Sequence, residues 1–273
     1  MRITKSGMAT LVAGGLLLAT PIAANAASCG NTSAGFENWV QEFKREAQGQ
    51  GVSPSVLDRA LANVHYNQPT IRADRGQKSF KLSFEEFMKK RGGQSIINRG
   101  KSMKQANAAL FSKIEKRFGV PPGPIIAIWG METGFGGFMG DQHTLSAVST
   151  LAYDCRRSAF FTEQLYSALK LVGEGYLSPS ARGAAHGEIG QTQFMPKNVV
   201  AFGVDEDGDG RVDLVGSRAD ALASTANFLR GHGWQPGAGY QPGEPNFSAI
   251  AGWNDAKVYQ QAIAYIGQQI DGR

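Results

Sequence analysis

The stretch IIAIWGMETGFGGFMG, Ile125 to Gly140, decides how this chain is read. It holds one charged residue, Glu132, and the nearest charges in sequence are Arg117 and Asp141. Ile125 to Met131 is apolar on every side, which predicts a helix buried all round with Glu132 near its end. The glycines at 134, 136, 137 and 140 fit a tight turn where backbone lies close to a ligand. A lone carboxylate in such surroundings is costly to ionise. Burial therefore raises its pKa and makes it a candidate general acid, able to protonate a glycosidic oxygen. The plainer alternative is a glutamate paired with an arginine in the core, and the residues themselves weigh the two evenly.

Outward from this segment, nearly every periodic stretch has helical spacing. Phe36, Trp39, Val40 and Phe43 share one face. Ser53-Pro54 reads as an N-cap with proline at the first helical position, ahead of the stripe Val56, Leu57, Ala60, Leu61 and Val64. Phe80, Phe84, Phe87 and Met88 make another stripe, and Leu110, Ile114 and Phe118 a further one, closed by Gly119 and Pro121. Ser158 is the expected cap of a helix carrying Phe161, Leu165, Leu169 and Val172. Ser217 with Asp220 resembles a capping box opening a helix through Leu229, and Val258, Ala262, Ile266 and Ile270 form a last stripe. Strand alternation is nearly absent, with a short ribbon expected around Arg211 to Leu214. Gly231 to Pro245 reads as a long surface loop. The fold class is mainly α.

The 273 residues suffice for one large domain or two small ones, and 42% hydrophobic with 19% charged residues suits a soluble protein with a real core. Arg2 and Lys5 precede an apolar run from Met8 to Ala19, then Ala24-Asn25-Ala26. That pattern predicts a signal peptide over residues 1–26, and the run is too short to span a bilayer. Its removal takes two of the 28 basic residues, leaving 26 against 23 acidic ones, a balance of +3. This argues against a nucleic-acid partner. In an oxidising compartment Cys29 and Cys155 predict one disulfide. The alternative, a lipid on Cys29, is disfavoured because Ala26-Ala27-Ser28 lacks the usual lipoprotein leucine.

Two further segments bear chemistry. HGEIGQTQFMP, His186 to Pro196, offers close backbone at its glycines and the donors and acceptors of Gln191, Thr192 and Gln193, suited to sugar hydroxyls and N-acetyl groups. The plainer reading is a polar loop. DEDGDGRVDL, Asp205 to Leu214, places Asp205, Asp207 and Asp209 at positions 1, 3 and 5 of an EF-hand loop, Gly210 at 6 and Arg211 at 7. Position 12 is Gly216 where a bidentate glutamate belongs, and Asp220 follows. The plainer reading there is an acidic surface turn. His65, His143, His186 and His232 lack metal-ligand spacing, and no G-x-S-x-G elbow occurs. Trp129, Trp234 and Trp253 are more often core than sugar platforms.

AIWGMETGFG, STLAYDCRRSAFF, GEIGQTQFMP, VDEDGDGRVDL and ALASTANFLRGHGW, in that order, resemble the lytic murein transglycosylase B family. With DRGQKSF, Asp74 to Phe80, the resemblance runs from Phe36 to the C-terminus. It implies one transglycosylase domain over 27–273, with a lysozyme-like α-helical core over about 105–235, flanking helices and a small EF-hand-like calcium insert. It implies cleavage of the N-acetylmuramic acid to N-acetylglucosamine bond of peptidoglycan strands without water, leaving a 1,6-anhydro-muramic end; the signal peptide predicts a periplasmic protein, expected to be a monomer. Wall-synthesis or remodelling proteins are the further partners it suggests. Glu132 matches the family's acid/base, Arg156 and Arg157 its double arginine, Gln193 the glutamine of G-Q-T-Q-F, and Asn254 an asparagine beside an aromatic. Asp205, Asp207, Asp209, Arg211 and Asp220 match its metal loop, where Ca2+ would be structural. Ala184 departs from the family's usual serine, Glu188 adds a carboxylate, and Phe228 and Trp253 stand where tyrosines are usual. The rivals are a lysozyme-type hydrolase with Glu188 activating water, and a secreted calcium-dependent wall-binding protein without activity.

Overall fold

Thirteen α-helices carry the fold in the computed structural model, which describes residues 27–76 and 82–272. The segment 1–26 and Phe80 of the third apolar stripe lie outside the described residues. The helices are α1 Phe36–Gly49, α2 Pro54–Leu61, α3 Gln68–Arg75, α4 Phe84–Arg91, α5 Gly93–Ala106, α6 Ala108–Phe118 and α7 Pro122–Thr133. They continue as α8 Thr144–Tyr153, α9 Ser158–Glu174, α10 Pro196–Phe202, α11 Arg218–Gly231, α12 Phe247–Trp253 and α13 Lys257–Asp271.

The all-apolar segment is the hub. Every residue of α7 except Glu132 is buried. Helices α13, α5 and α11 pack around it. At the crossing of α7 and α13 a Cβ on Gly123 would stand 2.3 Å from the Gly267 carbonyl oxygen, so only glycine lets the two backbones meet there. Asp271, at the end of α13, accepts the Gly123 N–H at 2.9 Å and sits at the positive end of the α7 dipole. Lys104 at 3.3 Å and the Tyr240 hydroxyl at 2.7 Å complete its surroundings.

A second layer forms where α8 lies on α9, flanked by α1 to α3. Its aromatic cluster joins Phe36, Trp39, Phe43, Tyr66 and Tyr153. The Cys29–Cys155 disulfide closes a separation of 126 residues and ties the start of the described chain to the α8–α9 corner. Such a link stabilises chiefly by restricting the unfolded chain.

Local expectations met the structure unevenly. Ser53 caps α2 as its spacing predicts, accepting the Val56 N–H. Ser158 does not cap α9; it is the helix's first residue and donates its hydroxyl to the Ala152 carbonyl at 2.6 Å. Ser217 accepts the Asp220 N–H at 3.2 Å, but the Asp220 side chain turns away into the acidic loop, leaving half a capping box. The ribbon expected at 211–214 is absent, because aspartate side chains there take the backbone N–H groups a ladder would use. The ribbon among the described residues is instead β1 Gln142–His143 paired antiparallel with β2 Arg182–Gly183. The Gly231–Pro245 segment is irregular but well packed. Trp234 and Tyr240 are buried, Trp234 Nε1 donates to the Gly119 carbonyl, and buried Asn246 holds Gln235 and Ala238.

Candidate active site

Glu132 sits one residue from the end of α7, which stops at Gly134 (φ 58°). Its carboxyl reaches a cavity of about 320 Å3 lined by residues from four parts of the chain. Ala184, Glu188, Gln193, Phe194 and Met195 come from the connection between β2 and α10; Asn198 and Phe228 come from α10 and α11; Trp253 and Asn254 end α12. The lone acid, the Q-T-Q segment and Asn254 therefore meet, although 122 residues separate the first from the last.

Two donors converge on one oxygen of Glu132. Trp253 Nε1–H donates to Oε1 at 2.9 Å and the Tyr259 hydroxyl donates to the same atom at 2.7 Å. An oxygen committed to accepting twice leaves Oε2 as the seat of the proton in the neutral acid. Burial raises the Glu132 pKa above the ordinary carboxylate value, against the two hydrogen bonds and the charge of Arg91, and the negative charge of Glu188 adds to the rise. Tyr259 is pushed well above its own ordinary value by burial and by Glu132, so it stays a donor. A carboxyl with a raised pKa and both of its donors on one oxygen is suited to act as a general acid through the other.

The Q-T-Q segment is a tight turn bolted to the acid's helix. Ile189 and Phe194 exchange N–H and carbonyl bonds at 2.7 and 3.0 Å. Between them Gln193 adopts a left-handed backbone, φ 57°, rare for a residue with a side chain and a mark of a position fixed by its surroundings. Its Nε2 holds the Gly190 and Met139 carbonyls at 2.8 and 3.2 Å. Thr133, next to Glu132, donates its hydroxyl to the Gln191 carbonyl at 2.6 Å.

Glu188 is the second carboxylate of the cavity. His186 grips it twice, with backbone N–H to Oε2 at 2.9 Å and Nδ1 to Oε1 at 3.0 Å. Burial works to raise the Glu188 pKa, but the His186 contacts outweigh it and hold the group below the ordinary carboxylate range. The same pocket thus holds one carboxyl whose pKa is raised and one whose pKa is lowered, the environment setting the difference.

Arg156 and Arg157 do not line this cavity. Both close on buried Asp74 of α3, Arg156 through Nε at 2.7 Å and Nη2, Arg157 through Nη2. They border a separate hollow of about 620 Å3 with Trp39, Phe43, Glu46 and exposed Phe160.

A transglycosylase SLT domain model matches residues 35–244. The chain belongs to that family. This SLT-domain chain is 36% identical over 138 residues to the membrane-bound lytic murein transglycosylase B of Escherichia coli K12, a match spanning 47% of the chain and 38% of that protein. Among solved structures, SltB3 of Pseudomonas aeruginosa, in complex with NAG-anhNAM-pentapeptide, superposes with a TM-score of 0.81 at 27% identity, covering 87% of this chain and 80% of that one. The lytic transglycosylase Slt35 of Escherichia coli, in complex with calcium, superposes at 0.77 and 23% identity over 90% and 96% of the two chains. The mainly α, lysozyme-like fold class is thereby established.

In the acidic loop of this family member, carboxylate oxygens of Asp205, Asp207 and Asp209 lie within 4.8 Å of one another. Hard oxygen donors at that spacing fit a calcium ion. Asp220 stands apart from that trio. It is fully buried and receives the N–H groups of Glu206, Asp207 and Asp213 at 2.9, 3.3 and 2.9 Å. Arg211 donates its N–H to Asp209 and its guanidinium to the Gly175 carbonyl.

Three features escaped the sequence reading. Tyr259 was hidden because a tyrosine on an apolar helix face reads as core, although its place four residues before Ile263 put it on the buried side. Trp253 read as a lost tyrosine hydroxyl, yet its indole N–H supplies a donor. The link from Glu188 through His186 to Asp74 had no sequence signal, since Asp74 lies more than a hundred residues away.

Proposed function

We propose that the chain cleaves the β-1,4 bond between N-acetylmuramic acid and N-acetylglucosamine in peptidoglycan strands without water, leaving a 1,6-anhydro-muramic end. The observation that carries this reading is the Glu132 carboxyl in the cavity, its Oε1 fixed by Trp253 and Tyr259 and its pKa raised by burial. Glu132 gives its proton to the leaving oxygen as positive charge builds at the muramic anomeric carbon, where the sugar's own N-acetyl group stabilises it. The carboxylate then takes the proton of the muramic C6 hydroxyl, which attacks the anomeric carbon and closes the anhydro ring. An internal nucleophile gains from effective molarity, so a single acid/base suffices. Gln193 and Asn254 bind the glycan from the cavity walls, and Arg156 and Arg157 meet the substrate from the neighbouring hollow. The sugar and peptide complex of the 27% identical Pseudomonas protein supports this choice of substrate.

Glu188 in the same cavity favours one rival, a hydrolase in which it activates water. Mass spectrometry of digested sacculi decides among the readings. Anhydro ends are expected; reducing muramic ends would make the chain a lysozyme-type hydrolase, and binding without release would make it an inactive wall-binding protein.

Calcium on Asp205, Asp207, Asp209 and the Arg211 carbonyl would brace the loop beyond α10, with buried Asp220 shaping that loop through its three N–H contacts. Its role is structural. Adding calcium to metal-free protein at 100 times the dissociation constant should stabilise it by about 2.7 kcal/mol, read as a rise in Tm. A Tm unmoved by calcium and by chelator would remove the ion from the account.

The location we assign is the periplasm, with cleavage after Ala26. No helix among the described residues is long and apolar enough to cross a membrane. The bond from the Cys29 sulfur to Cys155 supports this location over a lipid on Cys29. An intact mass matching residues 27–273 less two hydrogens is expected; a lipid increment would reverse the assignment.

A further inference from the structure

A cavity that needs one acid for the proposed reaction contains a second carboxylate with a clamp of its own. Ala184 and Glu188 face each other across a tight turn, with Ala184 N–H to the Glu188 carbonyl at 3.2 Å and Gly187 N–H to the Ala184 carbonyl at 3.1 Å. A Cβ on Gly183 would lie 2.0 Å from the Glu188 carbonyl oxygen, so the turn closes only on glycine. Both Ala184 and Glu188 line the cavity of Glu132. Ala184 offers no polar atom beyond its backbone, so the side-chain polarity of this wall comes from Glu188.

His186 holds both oxygens of Glu188, and the far nitrogen of its ring, Nε2, lies 3.8 Å from Asp74 Oδ1. Asp74 is in turn gripped by Arg156 and Arg157. The clamp is therefore anchored on α3 and on the start of α9, outside the cavity wall itself. A carboxylate has about four lone-pair sites, and the two His186 contacts with the Glu188 backbone N–H leave room to accept from a ligand. Fixed negative charge close to developing positive charge in a dry site is an effective catalytic device.

We propose that Glu188, clamped by His186, is a second working carboxylate of this cavity, accepting the N–H of the 2-acetamido group on the sugar being cut and turning that group's carbonyl oxygen toward the anomeric carbon. This role rests on the reaction proposed above. As the bond from C1 to the leaving oxygen breaks and that oxygen takes the Glu132 proton, the acetamido oxygen bonds to C1. The resulting oxazolinium cation faces the Glu188 anion. Attack of the C6 hydroxyl oxygen on C1 then expels the acetamido oxygen, its proton passes to Glu132, and no water or redox partner is consumed. His186 acts through Glu188 and is a positioning residue.

The test compares E188Q, E188A, H186A and H186N with wild type on purified sacculi, following anhydro ends by mass spectrometry alongside Tm. E188Q should lower kcat by about 100-fold with KM changed by less than about threefold, because the charge acts mainly in the transition state. Formate should restore at least about tenfold of the activity lost in E188A by refilling the carboxylate site. H186N, which keeps a donor near Nδ1, should lose less than H186A. E188Q within twofold of the wild-type rate overturns the role, as does an E188A that keeps the wild-type Tm but gains nothing from formate. Reducing muramic ends from the wild-type protein overturn the reaction itself and this role with it; anhydro ends with a full-rate E188Q overturn the role alone.

Discussion

Replacing Glu132 by glutamine is expected to lower kcat by about 10³-fold or more while leaving KM and the fold in place. The amide oxygen can still accept from Trp253 and Tyr259, so both donors keep a partner. What is lost is the transferable proton on the other oxygen. Stability provides an independent reading of the same group. Burial raises the Glu132 pKa in the folded state, so the folded chain binds that proton more tightly than the unfolded chain does. The resulting stabilisation is complete below the unfolded carboxylate value, about 4.3, and is lost as the pH climbs through the raised folded value. Glutamine has no proton to lose. E132Q should therefore become more heat-stable relative to wild type as the pH rises across that range, while wild-type turnover falls over the upper part of it. Arg91, Tyr259 and Glu188 face the same carboxyl, and their influence is already contained in the direction of the shift. Anhydro ends released by E132Q at the wild-type rate, or a Tm difference flat with pH, would show that residue 132 is not the acid.

The part of this arrangement legible in the sequence was the part written in local pattern. Ile125 to Met131 announced a buried helix because it has no polar side, and Glu132 stood out as a carboxyl that such a helix tolerates only for a purpose. The disulfide followed from an even cysteine pair. What periodicity cannot show is which side chain completes a contact across the fold. Arg156 and Arg157 were known only as the family's double arginine, and no local pattern could show that Asp74 of α3 holds both. Ser158 looked like a cap, yet a nearer carbonyl, that of Ala152, takes its hydroxyl. The ribbon at 211–214 failed for a related reason, since aspartates that hold backbone N–H groups compete directly with a ladder. Tyr259 and Trp253 were illegible as partners of Glu132 because aromatic residues near an apolar stripe serve packing far more often than chemistry.

Asp74 is where a loss should spread furthest through the structure. Its side chain is 2% exposed, whereas those of Arg156 and Arg157 are 45% and 38% exposed. Burial alone would raise the Asp74 pKa, but the hydrogen bonds and charges of the two arginines outweigh it and hold the group below the ordinary value. Removing one partner of a buried pair costs about 3–5 kcal/mol. Half-exposed arginines recover part of their hydration, so D74N should cost about 2–3 kcal/mol near neutral pH. For a chain of this size that is a fall in Tm of roughly 4–12 °C. The sign with pH is opposite to that of Glu132. A lowered folded pKa gives stability that is present above the unfolded aspartate value, about 3.9, and disappears as the pH falls through the folded value. The Tm gap between wild type and D74N should therefore stay open from neutrality down to about pH 5 and narrow steadily in stronger acid. Activity should fall as well, because Asp74 stands behind His186 and the two arginines line the neighbouring hollow. A D74N protein with the wild-type Tm at neutral pH would mean that the two arginines hold nothing together, and a gap unchanged in acid would mean that Asp74 acts through shape rather than charge.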